Sequence, residues 1–128
     1  MKTPDTWRQF ADEHAHSLAL SQALQASLQD LLARQARVVL ALSGGQSPRA
    51  MMALLSQANL DWSRVTVQWV DERLLTRHHP DSNSELIEQA LLQHEAAQAQ
   101  WRNVLPLVDG EARVLDTAEQ QKVLQAAL

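Results

Sequence analysis

Five consecutive residues of this chain have the composition of an anion-binding loop: Ser43, Gly44, Gly45, Gln46 and Ser47. The glycine pair permits backbone conformations that side chains forbid, and it leaves room for a ligand beside the main chain. Ser47 is placed to cap the next helix, with Pro48 in its first position. Free N–H groups, the positive end of the helix dipole and two hydroxyls would converge here, which favours an anion. A strand-to-helix turn without a ligand explains the glycine pair equally well.

A second group of candidate residues, Asp71, Glu72 and Arg73, follows a β-branched and aromatic run at residues 65–70. This run and the apolar run at residues 38–42 are predicted strands, separated by a predicted helix that continues through residue 55. Such a unit is right-handed and its strands are parallel, so both strands end at the edge where α/β sheets bind ligands. We therefore expect the charged group to lie beside the glycine loop. Arg73 suits bidentate phosphate recognition, although a solvated charge cluster at a strand end is a common alternative.

The remaining patterns predict further helices and one more strand. Residues 7–36 have helical periodicity with Asp5 or Thr6 as the cap, and residues 85–92 form a helix capped by Ser82 or Ser84. A third strand is predicted at residues 103–107. A last helix is predicted at residues 111–128, with these residues facing inward: Val114, Leu115, Ala118 and Val123. Residues 38–42 show no polar alternation, which predicts a strand covered on both faces.

Composition limits the classes of function. The chain has 128 residues, 45% hydrophobic, with a net charge of −4 and no cysteine. This length predicts one α/β domain over residues 1–128. The acidic balance argues against nucleic acid or an anionic membrane surface as a partner, and the lack of cysteine fits a cytoplasmic protein. No apolar stretch is long enough to span a bilayer.

The five histidines do not predict a metal site. His14 and His16 lie in the first predicted helix without a partner at ligand spacing. His78 and His79 are adjacent and precede Pro80, so they are expected in a surface loop and do not readily converge on one ion. We therefore expect no metal.

Four motifs occur in order along the chain: Leu-Ser-Gly-Gly-Gln-Ser-Pro at 42–48, Asp-Trp-Ser-Arg-Val at 61–65, Asp-Glu-Arg at 71–73 and Pro-Asp-Ser-Asn at 80–83. Together they resemble the 6-phosphogluconolactonase family. The related glucosamine-6-phosphate isomerases and deaminases are less similar at 71–73 and 81–83. The resemblance implies a Rossmann-like three-layer α/β fold with a mostly parallel sheet. It also implies hydrolysis of 6-phosphoglucono-δ-lactone to 6-phosphogluconate in the oxidative pentose phosphate pathway, without a metal or organic cofactor.

The resemblance also implies roles for individual residues. The loop from Ser43 to Ser47 would help to hold the sugar phosphate. Arg73 would supply positive charge, either at the phosphate or at the oxyanion that forms when water attacks the lactone carbonyl. Asp71 would orient Arg73 or a substrate hydroxyl.

Three departures from the family pattern change the expected activity. Gln46 and Ser47 replace a small residue and Thr, and Val70 replaces a Gly. The family's Asp-Gly-His motif with its general-base histidine is not found, because no histidine of this chain follows a glycine. We therefore expect a fold that is incomplete at the C-terminus and little or no lactonase turnover.

Two alternatives follow from the same residues. One is an isomerase or deaminase of the superfamily with Asp71 as the proton-transfer base. The other is a non-catalytic sugar-phosphate-binding or assembly module. An unfinished sheet would leave an edge and apolar faces uncovered, which favours self-association or a complementing C-terminal segment as a partner.

Overall fold

Helices and strands alternate along most of the chain. The computed structural model describes residues 8–45, 47–103, 105 and 107–127. The elements in chain order are α1 (Glu13–Arg34), β1 (Val38–Leu42), α2 (Ser47–Leu55), β2 (Val65–Trp69), α3 (Asn83–Ala90), β3 (Gln100–Arg102) and α4 (Thr117–Ala127). Short 3-10 helices span Trp62–Arg64 and His94–Gln98. None of the helices in these ranges combines the length and apolar character needed to cross a membrane.

The three described strands form one parallel sheet in the order β1-β2-β3. Val38 pairs with Val65, and Leu42 pairs with Trp69. The ladder continues one step further, since the Val70 N–H donates to the Leu42 carbonyl at 2.7 Å. The predicted parallel strand-helix-strand unit is confirmed, and both strands end at the same edge of the sheet.

One face of the sheet carries the core. The side chains of Val38, Leu40 and Leu42 are buried in one cluster with residues of α1, α2 and α3. Val39 points to the other face and is 56% exposed. The prediction that this strand is covered on both faces is therefore wrong for the described residues, because the described helices that join this core pack against only one face. An apolar run without alternation does not reveal which face a helix will cover.

The predicted starts of the first two helices, α1 and α2, both require correction. Helix α1 begins at Glu13, since a carboxylate oxygen of Asp12 accepts a hydrogen bond from the Ala15 N–H at 2.8 Å. The prediction that it begins at residue 7 is wrong, and the proposed caps at residues 5 and 6 lie outside the described residues. Ser47 is the first helical residue of α2 and not its cap, so Pro48 is second. Proline is tolerated there because first-turn N–H groups have no partner within the helix.

Helix α3 spans Asn83–Ala90, so it begins and ends two residues earlier than the predicted 85–92, while its cap is one of the two predicted residues. Ser82 is its cap, and its hydroxyl accepts a hydrogen bond from the Glu85 N–H at 3.3 Å. This confirms Ser82 over Ser84 as the capping residue.

The third strand and the last helix are placed differently from the prediction. Strand β3 is Gln100–Arg102, so the prediction at 103–107 is wrong; two of those residues, at 104 and 106, lie outside the described ranges. The 3-10 helix before β3 is held by the Ala96 N–H, which donates to the Ser56 carbonyl at 3.0 Å. This hydrogen bond fixes the 3-10 helix, and the chain then continues directly into β3. Strand β3 is therefore positioned to pair with β2.

Helix α4 starts at Thr117 because the residues before it pair with another segment. The Thr76 N–H donates to the Arg113 carbonyl at 3.0 Å, and the Leu115 N–H donates to the Leu74 carbonyl at 2.9 Å. These extended contacts exclude helix at 111–115. Two of the four predicted inward residues, Leu115 and Val123, are buried; the other two, Val114 and Ala118, are exposed.

Arg64 ties the turn before β2 to the end of α1. Its Nε donates to Asp61 at 2.8 Å, and its Nη1 donates to the carbonyls of Leu32 and Gln35 at 3.1 and 3.0 Å. The last carbonyls of a helix have no intrahelical partner, so a guanidinium at this position supplies the missing donors.

We expect Arg64→Ala to lower the free energy of unfolding by about 1–2 kcal/mol, because the two carbonyls and Asp61 lose a charged donor. Arg34→Ala is the matched control. Arg34 pairs with Asp30 at 2.6 Å on the exposed surface of α1, and its loss should cost no more than about 0.5 kcal/mol. Urea denaturation followed by tryptophan fluorescence measures both. Equal losses for the two variants would contradict this role for Arg64.

Candidate functional site

The residues after β1 and β2 meet at the carboxyl edge of the sheet. Gly45 has a φ of +112°, a backbone conformation that a side chain would strain. Ser43 and Ser47 are exposed on either side of it, and Gln46 lies outside the described residues. The glycine pair therefore forms the tight turn that its sequence indicates.

Asn83 connects this loop to the segment after β2. Its side chain is only 5% exposed and packs directly against Gly44. A Cβ at Gly44 would overlap Asn83 Oδ1 and stand 2.6 Å from its Cγ. On the other side, Asn83 Nδ2 donates to the Asp71 carbonyl at 2.8 Å. The glycine loop and Asp71 thus lie on the two sides of one buried amide, in agreement with their expected proximity.

Glu72 holds the start of α3. Its half-buried carboxylate accepts hydrogen bonds from the N–H groups of Arg73, Asn83 and Ser84 at 2.9, 2.7 and 2.8 Å, and from the Ser82 hydroxyl at 2.8 Å. Burial disfavours the charged form, but hydrogen bonds from Ser84, Arg73 and Asn83 outweigh it and lower the pKa of Glu72 below its usual 4.5. A carboxylate at a helix N-terminus is stabilised in the same direction by the helix dipole. Glu72 is therefore a structural anion.

Arg73 lines an open cleft next to the glycine loop, with about 320 Å³ of empty space. Its Nη1 donates to the Asp81 carbonyl at 3.2 Å, which directs the exposed side chain toward this segment. The residues lining the cleft come from the glycine loop, α2, the segment between β2 and α3, and α3 itself: Gly45, Arg49, Arg73, Pro80, Asp81, Ser82, Asn83 and Leu86. The structure thus brings together Gly45 and Arg73 from the predicted site. Ser43, Gly44, Ser47 and Asp71 are not among the lining residues.

Two contributors to this region, Arg49 and Asn83, had no role predicted from the sequence. Arg49 is the third residue of α2, so a signal was available: the first turn of a helix that follows a ligand loop lies close to the ligand. The contact between Asn83 and Gly44 had no comparable signal, because the two residues are distant in the chain.

A second polar group lies on the surface between α3 and the loop before it. Ligand atoms of His78, Glu85 and Glu88 lie within 4.8 Å of one another. His78 Nδ1 is 2.7 Å from a Glu85 carboxylate oxygen, and the His78 side chain is largely exposed. The predicted surface position of His78 is confirmed, whereas its pairing with Glu85 was not anticipated. The hydrogen bond between these two residues accounts for their approach without an ion.

Comparison with known proteins identifies the family of this sequence. Residues 11–128 match the family model described as glucosamine-6-phosphate isomerases/6-phosphogluconolactonase. The chain belongs to this family. Two curated relatives are 6-phosphogluconolactonases: one from Neisseria meningitidis Z2491, 36% identical over 103 residues, and one from Pseudomonas aeruginosa PAO1, 44% identical over 91 residues. These alignments cover 80% and 71% of this chain.

Structural comparison within the family agrees with the fold. A solved protein from Neisseria gonorrhoeae FA 1090 superposes with a TM-score of 0.79 at 32% identity, over 94% of this chain and 52% of that protein. The predicted α/β fold with a parallel sheet is therefore confirmed. The chain spans only 43% and 37% of the length of the two curated family members.

Proposed function

We propose that this chain carries a sugar-phosphate site of a 6-phosphogluconolactonase, an enzyme that hydrolyses 6-phosphoglucono-δ-lactone to 6-phosphogluconate. One observation carries the proposal: the side chain of Asn83 seats the glycine loop against the segment that bears Arg73, and both segments border one cleft. Backbone N–H groups at a helix start and a guanidinium are suited to a phosphate group. We further propose that the protein acts in the oxidative pentose phosphate pathway in the cytoplasm.

Arg73 provides positive charge in this proposal. In the hydrolysis, water attacks the lactone carbonyl, an oxyanion forms, and the ring oxygen leaves as the C–O bond breaks. A guanidinium stabilises either that oxyanion or the phosphate. Asp71 Oδ1 accepts a hydrogen bond from Asn83 Nδ2 at 3.4 Å and Asp71 does not line the cleft, so no contact among the described residues favours either of its expected roles, toward Arg73 or toward a substrate hydroxyl.

The cleft does not supply the histidine that acts as general base in the family pattern. All five histidines of the chain lie in the described ranges, and none lines the cleft. Loss of a general base costs on the order of a hundredfold to ten-thousandfold in rate. We therefore propose that the 128-residue chain binds the phosphosugar and hydrolyses the lactone poorly or not at all.

We expect excess 6-phosphogluconate to raise the thermal unfolding midpoint of this chain, because a ligand that binds only the folded form stabilises it by mass action. At a concentration about a hundred times Kd the gain is about 2.7 kcal/mol. Arg73→Ala should abolish the shift. Arg37→Ala is the matched control, since Arg37 is exposed before β1, at the opposite end of the strand, and its variant should retain the full shift.

Two outcomes would count against this proposal. A midpoint that does not respond to 6-phosphogluconate would contradict a phosphosugar site in this chain. Rapid lactone hydrolysis that is lost in Arg73→Ala would contradict the proposed lack of a base. Release of ammonia from glucosamine 6-phosphate would instead favour the isomerase or deaminase alternative.

The open face of the sheet supports a second role in assembly. Val39 lies 56% exposed on that face, and Val70, just beyond β2, is 65% exposed. We propose that a second copy of the chain or a complementing segment covers them, because exposed apolar side chains of a sheet favour association. Light scattering on the unliganded chain distinguishes such an assembly from a monomer, and a strict monomer would exclude self-association.

A further inference from the structure

Two arginines border the same cleft, and neither forms an ion pair with a carboxylate of the described residues. Arg49, in the first turn of α2, is half-buried and lines the cleft together with Arg73. Within the described ranges, neither guanidinium lies within 4.0 Å of an acidic oxygen. The Arg73 side chain donates a hydrogen bond to a neutral acceptor, the carbonyl of Asp81.

Other arginines of the chain do have acidic partners. Four pairs bring a guanidinium nitrogen within 4.0 Å of a carboxylate: Arg34–Asp30, Arg64–Asp61, Arg77–Asp109 and Arg113–Glu119. The protein has 15 acidic against 11 basic residues, so carboxylates are in excess. Asp81 is an acidic residue in the cleft lining, but it contacts Arg73 through its backbone carbonyl and not through its carboxylate. The nearby carboxylates of Glu72 and Asp71 accept hydrogen bonds from N–H and amide donors. Three further arginines also have no acidic partner among the described residues; Arg49 and Arg73 differ from them because they line one cleft together.

Two like charges that share one cleft repel each other, and a bound anion relieves this repulsion. A phosphate group at neutral pH carries nearly two negative charges and three acceptor oxygens, so it can satisfy two guanidinium groups at once. A sugar hydroxyl carries no charge, and a single carboxylate neutralises only one of the two arginines. Gly45, which also lines the cleft, leaves space for an anion to approach the backbone.

We propose that Arg49 is a second phosphate-binding residue, which acts together with Arg73 and makes the cleft selective for the phosphorylated end of the sugar. This inference rests on the proposed sugar-phosphate site. It assigns the phosphate, and not the lactone carbonyl, to the side of the cleft formed by α2 and the start of α3.

Calorimetric titration of the full chain tests the assignment, with 6-phosphogluconate, inorganic phosphate and unphosphorylated gluconate as separate probes. Arg49→Ala should weaken binding of both phosphorylated probes about tenfold or more, the usual effect of losing one charged hydrogen bond. The weaker affinity for gluconate should change less than about twofold, since gluconate lacks the group that Arg49 binds. Arg49→Lys should restore part of the loss because it retains the charge but not the planar pair of donors.

The controls separate this inference from the proposed function. Arg37→Ala removes the same charge at the other end of β1 and should bind all three probes as the unmodified chain does. If Arg73→Ala loses 6-phosphogluconate while Arg49→Ala binds it normally, the role of Arg49 is overturned and the proposed site stands. Equal weakening of gluconate and 6-phosphogluconate by Arg49→Ala also overturns the phosphate assignment. If the unmodified chain binds neither phosphorylated probe, the proposed function itself fails.

Discussion

Gly44→Ala should lower the free energy of unfolding by about 2–3 kcal/mol. The added methyl group would overlap Asn83 Oδ1 and lie 2.6 Å from Asn83 Cγ, closer than such atoms approach. Asn83 is buried and donates to the Asp71 carbonyl, so it cannot move aside without losing that bond. The cost combines overpacking, about 1–3 kcal/mol, with about 1 kcal/mol for the lost hydrogen bond. Urea denaturation of both proteins gives the difference.

A double-mutant cycle identifies the cause of this loss. Asn83→Ala removes the obstructing amide, so adding Gly44→Ala to that variant should cost less than about 0.5 kcal/mol more. Gly45→Ala is the matched control. Its Cβ would meet only Pro48 Cδ at an ordinary 3.7 Å, but its φ of +112° strains any side chain. Gly45→Ala should therefore lower the free energy of unfolding by about 1–2 kcal/mol, and by the same amount whether Asn83 is present or replaced by alanine. If Asn83→Ala fails to rescue Gly44→Ala, steric overlap is not the cause.

Glu72→Ala should destabilise the protein by about 2–3 kcal/mol at neutral pH. The carboxylate accepts three N–H bonds and one hydroxyl bond at 2.7–2.9 Å, and the truncated variant leaves these half-buried donors without their acceptor. Hydrogen bonds to a charged acceptor contribute about 1.5–3 kcal/mol, and bonds to one carboxylate are not additive. The N-terminal turn of α3 should fray, with the Asp81 carbonyl and Asn83 no longer held beside the cleft. Denaturation curves for the variant and the unmodified chain measure the loss.

The pH dependence separates the charge of Glu72 from its shape. Its folded pKa is lowered, so the unfolded chain binds the proton more readily. Stability from Glu72 is therefore complete above its unfolded pKa near 4.5 and is lost as the pH falls through the lower folded value. Glu72→Gln should thus destabilise the protein at neutral pH and approach the unmodified chain as the pH falls below the folded pKa of Glu72. Glu95→Gln changes an exposed carboxylate that forms no side-chain hydrogen bond with the described residues, and it should show no such convergence. A Glu72→Gln difference that is constant with pH would contradict this assignment.

The first half of the sheet was predictable because its signals are local. Strand β1 is an unbroken apolar run, and β2 combines β-branched and aromatic residues before the charged group at 71–73. The turn between β1 and α2 contains the glycine pair and Pro48. Short-range chemistry therefore indicated that β1 and β2 are parallel and that the loop and Arg73 lie at the same edge of the sheet.

Later elements depended on contacts between distant segments. Residues 103–107 have a composition as suitable for a strand as Gln100–Arg102, and the 3-10 helix that positions β3 is anchored by the backbone of Ser56. Residues 111–115 have helical spacing but pair with the backbone around Thr76. The position of Arg49 at the cleft depends on how α2 packs against the sheet, and no sequence pattern within α2 predicts that orientation.

The wholly parallel arrangement of β1, β2 and β3 also determines how the described sheet can fold. No two of these strands can form a local hairpin, since each pair is joined through intervening helical segments. The entropy of closing these long connections must be lost before any interstrand hydrogen bond forms. Folding of the sheet should therefore be slow compared with a helical bundle of the same length. During that interval the apolar strand β1 is exposed to other chains, so newly made protein is most at risk of aggregation before α2 has docked.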